Sequence, residues 1–193
     1  MSQIEEFKQR DFRKEVINIE NTAKCTLLCP QCKRTTFLQL NGGSFTGKDL
    51  TPEQFRKVVT YFDDVTFGGQ LSDPVFGTYF LELLEICHEH KLGPRVLHAA
   101  TGKSKDWYIK AFETNPNARW TFGIDGPPHL SHKYRINQKG NFLFQIMCMA
   151  KKMDMKVCWQ YIIFNYNKNY IQRCKQIAKE IDIPIIFIDS RRE

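Results

Sequence analysis

Short apolar runs rich in β-branched and aromatic residues alternate with longer amphipathic segments along most of the chain. Val16 to Asn21 reads as a first strand. Thr51-Pro-Glu places a capping hydroxyl before a proline at the first helical position, and Phe55, Val58, Val59 and Phe62 then recur at helical spacing. Asp64 to Phe67 is a second strand that ends in Gly68-Gly69, and a long amphipathic helix is predicted from Pro74 to Lys91. The same alternation continues with a strand over Arg95 to Ala100, a helix over Asp106 to Glu113 and a strand over Arg119 to Asp125. A helix over Asn141 to Met155, a strand over Lys156 to Phe164, a helix over Tyr170 to Ile181 and a strand over Ile183 to Ile188 complete it.

Six strands alternating with five helices imply an α/β fold with a parallel sheet and right-handed crossovers. The units are too few for a closed eight-stranded barrel, which takes about 250 residues. From the pattern alone, a doubly wound sheet is the arrangement that remains. Residues 1–14 are polar and of mixed charge and read as an extension, leaving one domain over 15–193.

Composition changes this picture little. Hydrophobic content of 42% and charged content of 25% are those of an ordinary globular chain. No apolar run approaches the roughly 20 residues that span a bilayer. The N-terminus also lacks an apolar signal core. A cytoplasmic protein with no membrane partner is expected. The formal net charge of +7 fits an anionic substrate, cofactor or electron donor, or nucleic acid. Because the basic residues are dispersed, apart from Arg191-Arg192, they read chiefly as a solvated surface.

The candidate chemistry begins at Cys25-Thr-Leu-Leu-Cys29-Pro-Gln-Cys32, in the loop leaving the first strand. Pro30 argues against a regular helix through it. Three thiolates so close converge on one centre: zinc completed by a distant ligand, or an iron–sulfur cluster with one iron left open. A zinc-bearing nucleic-acid-binding module is the reading from a different class. The remaining four cysteines, Cys87, Cys148, Cys158 and Cys174, read as buried thiols. His98 reads as a satisfied core histidine, and His88, His90, His129 and His132 form no evident metal set. Ligands in parallel α/β folds gather at the C-terminal strand ends, so those ends are where further site residues belong.

The C-x3-C-x2-C spacing after a first strand, with its lead-in Ile19-Glu-Asn-Thr-Ala-Lys, resembles the signature of the radical S-adenosylmethionine (radical SAM) enzymes. The resemblance covers roughly residues 15–190. It implies a partial (β/α)6 TIM-like barrel of parallel strands and a [4Fe-4S] cluster held by Cys25, Cys29 and Cys32. SAM would be reductively cleaved on the open iron to a 5′-deoxyadenosyl radical that abstracts hydrogen from a substrate. A flavodoxin or a reductase would supply the electron.

Gly68-Gly69-Gln70 is similar to the family's Gly-Gly-Glu contact for the SAM amino group, with Gln70 in place of the glutamate. Thr101-Gly102 resembles a polar-Gly step of the pocket. Trp120-Thr-Phe-Gly-Ile-Asp-Gly126 followed by Arg135 resembles the Phe-Ser-Ile-Asp-Gly…Arg pattern of the peptide-modifying branch. Arg135 fits a carboxylate clamp, and Asp125 reads either as an acceptor for the ribose hydroxyls or as a capping carboxylate at a tight turn. Gln160-Tyr-Ile-Ile-Phe-Asn-Tyr-Asn167 resembles that branch's fifth strand, with Gln160 and Ile162 toward SAM and Ile162 beside the adenine.

The chain departs from the pattern at Gln31, Gln70 and Gly123, which leaves room for a member that binds SAM without cleaving it. The branch's cysteine-rich C-terminal extension is absent from this sequence. A peptide or protein side chain is the implied substrate, with a glycyl-radical activase or a nucleotide-heterocycle synthase as alternatives. Asp189 and Arg191, after the sixth strand, are placed to reach the substrate mouth.

Overall fold

The computed structural model describes residues 15–43 and 46–190. The expected extension over 1–14 and Arg191 lie outside them. Six strands form one sheet: β1 (Val16–Ile19), β2 (Asp64–Phe67), β3 (Arg95–His98), β4 (Arg119–Gly123), β5 (Lys156–Ile163) and β6 (Ile185–Asp189). Their order is β1-β2-β3-β4-β5-β6 and every neighbouring pair is parallel. A doubly wound sheet reverses its strand order at a switch point. This one never does, so the winding is that of a barrel opened between β1 and β6.

The helices are α1 (Lys33–Leu40), α2 (Pro52–Val59), α3 (Phe80–Glu89), α4 (Lys105–Thr114), α5 (Gly140–Lys152) and α6 (Ile171–Glu180). The start of α2 follows from its sequence. The Thr51 hydroxyl accepts from Gln54 N–H at 3.2 Å and the Gln54 side chain accepts from Thr51 N–H at 3.0 Å, a closed capping box. Ser104 caps α4 in the same way, accepting from Trp107 N–H.

One expected helix is corrected. Instead of running from Pro74 to Lys91, the chain makes a single 3-10 turn at Pro74–Phe76, breaks, and resumes as α3 at Phe80. At Gly77 the backbone leaves helical geometry (φ −59°, ψ 133°). The cause is Asn21, whose side-chain amide donates to the Pro74 carbonyl at 3.1 Å and fills the space where a Cβ on residue 77 would sit. Helix α1 is an addition, in a stretch whose sequence pattern is ambiguous.

Alternation divides the sheet's side chains into two sets. Val65, Phe67, Val96, Trp120, Phe122, Trp159 and Tyr161 point to the helices and are buried in one cluster with Phe55, Phe80, Leu83 and Phe112. Edge-to-face contacts fill it, with Phe112 and Trp120 5.0 Å apart and Phe67 and Phe80 5.5 Å apart. The other face carries Leu97, Thr121, Gly123, Gln160 and Ile162, and a cavity opens on it.

Candidate functional site

The cavity, about 380 Å³, lies at the C-terminal strand ends. The loop after β1 brings Cys25, Cys29 and Cys32 to its wall together. Local hydrogen bonds set the loop's shape: Leu27 N–H donates to Cys25 Sγ at 3.4 Å, and Cys32 N–H to the Cys29 carbonyl at 3.0 Å. Cys32 then caps α1 in extended geometry, and its Sγ lies 3.9 Å from the Gln70 carbonyl. Burial pushes the Cys25 thiol up to about 12, with the nearby Asp73 carboxylate adding to the effect. Burial likewise raises Cys29 despite the Arg135 charge. Without a metal these two thiols hold their protons, which a metal would have to displace.

The loop after β2 forms the adjoining wall, through Gly69, Gln70, Leu71, Ser72 and Asp73. A Cβ on Gly69 would fall 2.6 Å from the Ser72 carbonyl oxygen and 2.8 Å from Glu20 Oε1. Only glycine lets the chain pass this group of acceptors. Glu20 also accepts from Leu71 N–H at 2.8 Å. The Ser72 hydroxyl is buried with no partner among the described residues.

Asp73 fastens this loop to β3. Its Oδ2 accepts from Ala99 N–H at 2.8 Å and Ala100 N–H at 2.7 Å, and its Oδ1 lies 2.9 Å from His98 Nδ1. The other His98 nitrogen lies 2.7 Å from the Tyr108 hydroxyl, so this histidine is satisfied on both sides. Burial opposes the Asp73 charge, but His98 and the two backbone donors outweigh it and hold the carboxyl below its ordinary value.

Strand β4 supplies Thr121 and Gly123, and the segment beyond it supplies Arg135. A Cβ on Gly123 would fall 2.9 Å from an Arg135 guanidinium nitrogen, so the missing side chain is what lets the arginine in. Arg135 is already paired. Its Nε lies 2.7 Å from Asp125 Oδ2 and an Nη donates to Oδ1 at 3.2 Å. Asp125 is wholly buried, also accepts from Ile162 N–H at 2.9 Å, and does not reach the cavity wall. The expected ribose contact at Asp125 is therefore replaced by a bond between the ends of β4 and β5. Burial of Arg135 works against its charge, and Asp125 more than restores it.

Gln160 and Ile162 from β5 complete the wall. Thr101 and Gly68 stand behind it. The Thr101 hydroxyl accepts from Lys139 N–H at 3.0 Å and its carbonyl accepts from the Thr26 hydroxyl at 2.9 Å, tying the cysteine loop to the segment after β4. Gly68 backs onto Leu97. Asn167 caps the end of β5 from a buried position, accepting from Phe164 N–H and donating to the Ile162 carbonyl.

A second cavity of about 610 Å³ adjoins the first through Tyr134 and is lined by Gln31, Phe164, Tyr166 and Asp189, among others. In it Tyr134 and Phe164 stack at 4.0 Å. Sequence reasoning missed Ser72, Asp73 and Tyr134. Of these only Asp73 left a signal, as an acidic cap before Pro74.

Among the described residues, no three His, Cys, Asp or Glu side chains converge where a single metal ion could sit. No described helix is long and apolar enough to cross a membrane.

A parallel, incompletely closed barrel defines a class of fold, and solved structures share that fold. Streptococcus suis SuiB bound to S-adenosylmethionine matches with a TM-score of 0.76 at 11% identity, over 99% of this chain and 44% of that one. Native anSMEcpe with bound AdoMet matches at 0.68 and 14%, over 90% and 50%. Methylornithine synthase (PylB) matches at 0.60 and 17%, over 92% and 54%. All three are radical SAM enzymes, and the chain has their fold. It spans about half their length. By sequence, no family model and no curated protein matches.

Proposed function

We propose that the chain is a radical SAM enzyme, in which Cys25, Cys29 and Cys32 hold a [4Fe-4S] cluster and the cavity beside them takes S-adenosylmethionine. One observation carries this reading. The three cysteines of one loop share a cavity wall with Gly69, Gln70, Arg135, Gln160 and Ile162, which come from three other strand ends.

The residues present fit both groups. Three thiols from one short loop line a common cavity, and a four-iron cluster bound by three cysteines keeps one iron open for a ligand in that cavity. The unpartnered Ser72 hydroxyl and the acceptors around Gly69 suit an ammonium group, and Gln70 adds a neutral acceptor. Arg135, held by Asp125, presents the rest of its fork to a carboxylate. Ile162 and the Tyr134 ring offer apolar surface to a purine.

When bound, the cluster supplies the electron that cleaves SAM to methionine and a 5′-deoxyadenosyl radical. The protein's residues place the reacting bond and keep water from it. The apolar wall of Leu27, Leu97 and Ile162 offers a radical little to attack except substrate. A flavodoxin or reductase serves as electron donor. SuiB bound to precursor peptide SuiA and anSMEcpe bound to a Cp18Cys peptide support a peptide as one substrate class for this fold. Methylornithine synthase supports a class outside peptides.

The test is the metal content of protein reconstituted without oxygen. About four irons and four sulfides per chain are expected, with loss of the cluster in Cys29→Ala while the far-ultraviolet circular dichroism stays unchanged. Colourless protein carrying zinc would return the cysteine loop to a structural zinc site.

A further inference from the structure

Below the cavity floor, the inner face of the sheet carries a polar row that the cofactor reading does not use. The register sets Asn18 beside Thr66, Thr66 beside Arg95, Arg95 beside Arg119 and Arg119 beside Lys156. Five neighbouring strands thus present a polar residue at one height. Each cation precedes a buried outward residue, Val96, Trp120 or Val157, so all three lie on the inner face. Two residues further along the same strands stand Leu97 and Thr121 of the cavity wall, a rise of about 7 Å. Leu97, on the same strand as Arg95, is 37% exposed and leaves apolar surface directly above the row.

Like charges side by side on adjacent strands repel. Arg119 is relieved by Asp64 and by the Gly93 carbonyl. Arg95 and Lys156 have no carboxylate partner among the described residues. Three cations against one carboxylate leave a local charge of +2. A carboxylate would neutralise half of that. A phosphate monoester, with a charge of about −1.5 to −2 at pH 7, matches it, and arginine binds it through two parallel hydrogen bonds.

We propose that Arg95, Arg119 and Lys156 bind the phosphate of a phosphorylated small-molecule substrate, whose body rises past Leu97 toward the SAM cavity. The identity of the reaction above rests on the radical SAM reading; the phosphate site does not.

The test uses the full chain saturated with S-adenosylhomocysteine, which fills the upper cavity, and needs no turnover. Thermal unfolding is followed against inorganic phosphate at constant ionic strength, since a ligand of the folded state raises the midpoint saturably. Half-maximal effect is expected in the millimolar range. In Arg95→Gln/Lys156→Gln it should weaken roughly tenfold or more, a loss of about 1.4 kcal/mol. Binding of S-adenosylhomocysteine should not change. An equal phosphate response in the double variant would overturn the proposal. So would protection of the wild-type chain by a glutamate-rich peptide at lower concentration than by phosphate, which would assign the row to an acidic peptide. If the chain binds phosphate through these residues but no S-adenosylhomocysteine, the site stands and the radical SAM reading falls.

Discussion

The two faces of the sheet are built to opposite rules. Toward the helices, every strand from β2 to β5 contributes large side chains, and Phe67, Trp120, Phe122, Trp159 and Tyr161 are at most 1% exposed. Toward the barrel interior β3 to β5 carry Leu97, Thr121, Gly123, Cys158 and Gln160, which apart from Leu97 are small or polar and apart from Gly123 are at least partly exposed. One face stabilises the fold. The other leaves room. Parallel sheets are usually covered on both sides, so an inner face left open through three adjacent strands marks where a ligand belongs.

Truncating neighbours on one strand separates the two faces most strongly. Trp120→Ala should cost about 3–5 kcal/mol, because it empties the centre of the aromatic cluster. Thr121→Ala, one residue on and facing the cavity, should cost under about 1 kcal/mol. Urea unfolding of the pair measures both, and equal losses would erase the distinction between the faces.

Next in size is Asp125→Asn, at the rim where the two faces meet. It leaves Arg135 buried without its countercharge and should cost about 3 kcal/mol, the low end for a broken buried pair because Arg135 borders the cavity. It should also weaken S-adenosylhomocysteine more than 5′-methylthioadenosine, which lacks the carboxylate. Calorimetric titration with both ligands reads this, and equal weakening would remove Arg135 from carboxylate recognition.

A smaller effect, of about 1 kcal/mol, is expected beside the cysteine loop, where Asp49 binds Lys24. Burial disfavours the Asp49 charge, but hydrogen bonds from Lys24, Thr78 and Thr22 outweigh it and hold the carboxyl well below the usual range. Its pKa is lower in the folded chain than in the unfolded one. The contribution is therefore fully present above about pH 4, the unfolded value, and is lost as pH falls toward the folded one. Wild type and Asp49→Asn should differ in unfolding midpoint at pH 7 and converge in acid. A constant difference across that range would rule the linkage out.

A stability change as small as that of Thr121→Ala belongs to Cys29→Ala. Under about 1 kcal/mol is expected without metal, since Cys29 stands on a loop outside the aromatic cluster. A large loss would make the cysteine loop part of the core.

How far the sequence reveals all this follows from how local each cause is. The strands were legible because β-branched and aromatic runs stop at Gly68-Gly69, Thr101-Gly102 and Gly126-Pro127. Alternation puts Thr121, Gly123 and Asp125 on one face of the predicted fourth strand and Gln160, Ile162 and Phe164 on one face of the fifth. Thr121, Gly123, Gln160 and Ile162 do line the first cavity, whereas Asp125 turns to Arg135. The break at Gly77 was not legible, because its cause, Asn21, lies 53 residues from the carbonyl it binds. The Asp125–Arg135 pair was hidden by the same logic. A 3-10 segment, Pro128–Lys133, turns the chain back so that a carboxylate expected to face a ligand meets the arginine instead. Gly123 read as a lost serine contact, and the structure gives it a positive role as the space the guanidinium fills.

On the proposed function, the open face houses radical chemistry on S-adenosylmethionine. The most direct measurement is 5′-deoxyadenosine release by protein reconstituted and reduced with dithionite in the absence of oxygen, read by mass spectrometry. The account predicts 5′-deoxyadenosine and methionine in equal amounts from the wild-type chain, and none from Cys25→Ala, Cys29→Ala or Cys32→Ala. Release that persists in those variants, or none from a wild-type chain carrying a full, reduced cluster with SAM and a phosphorylated substrate bound, would contradict it.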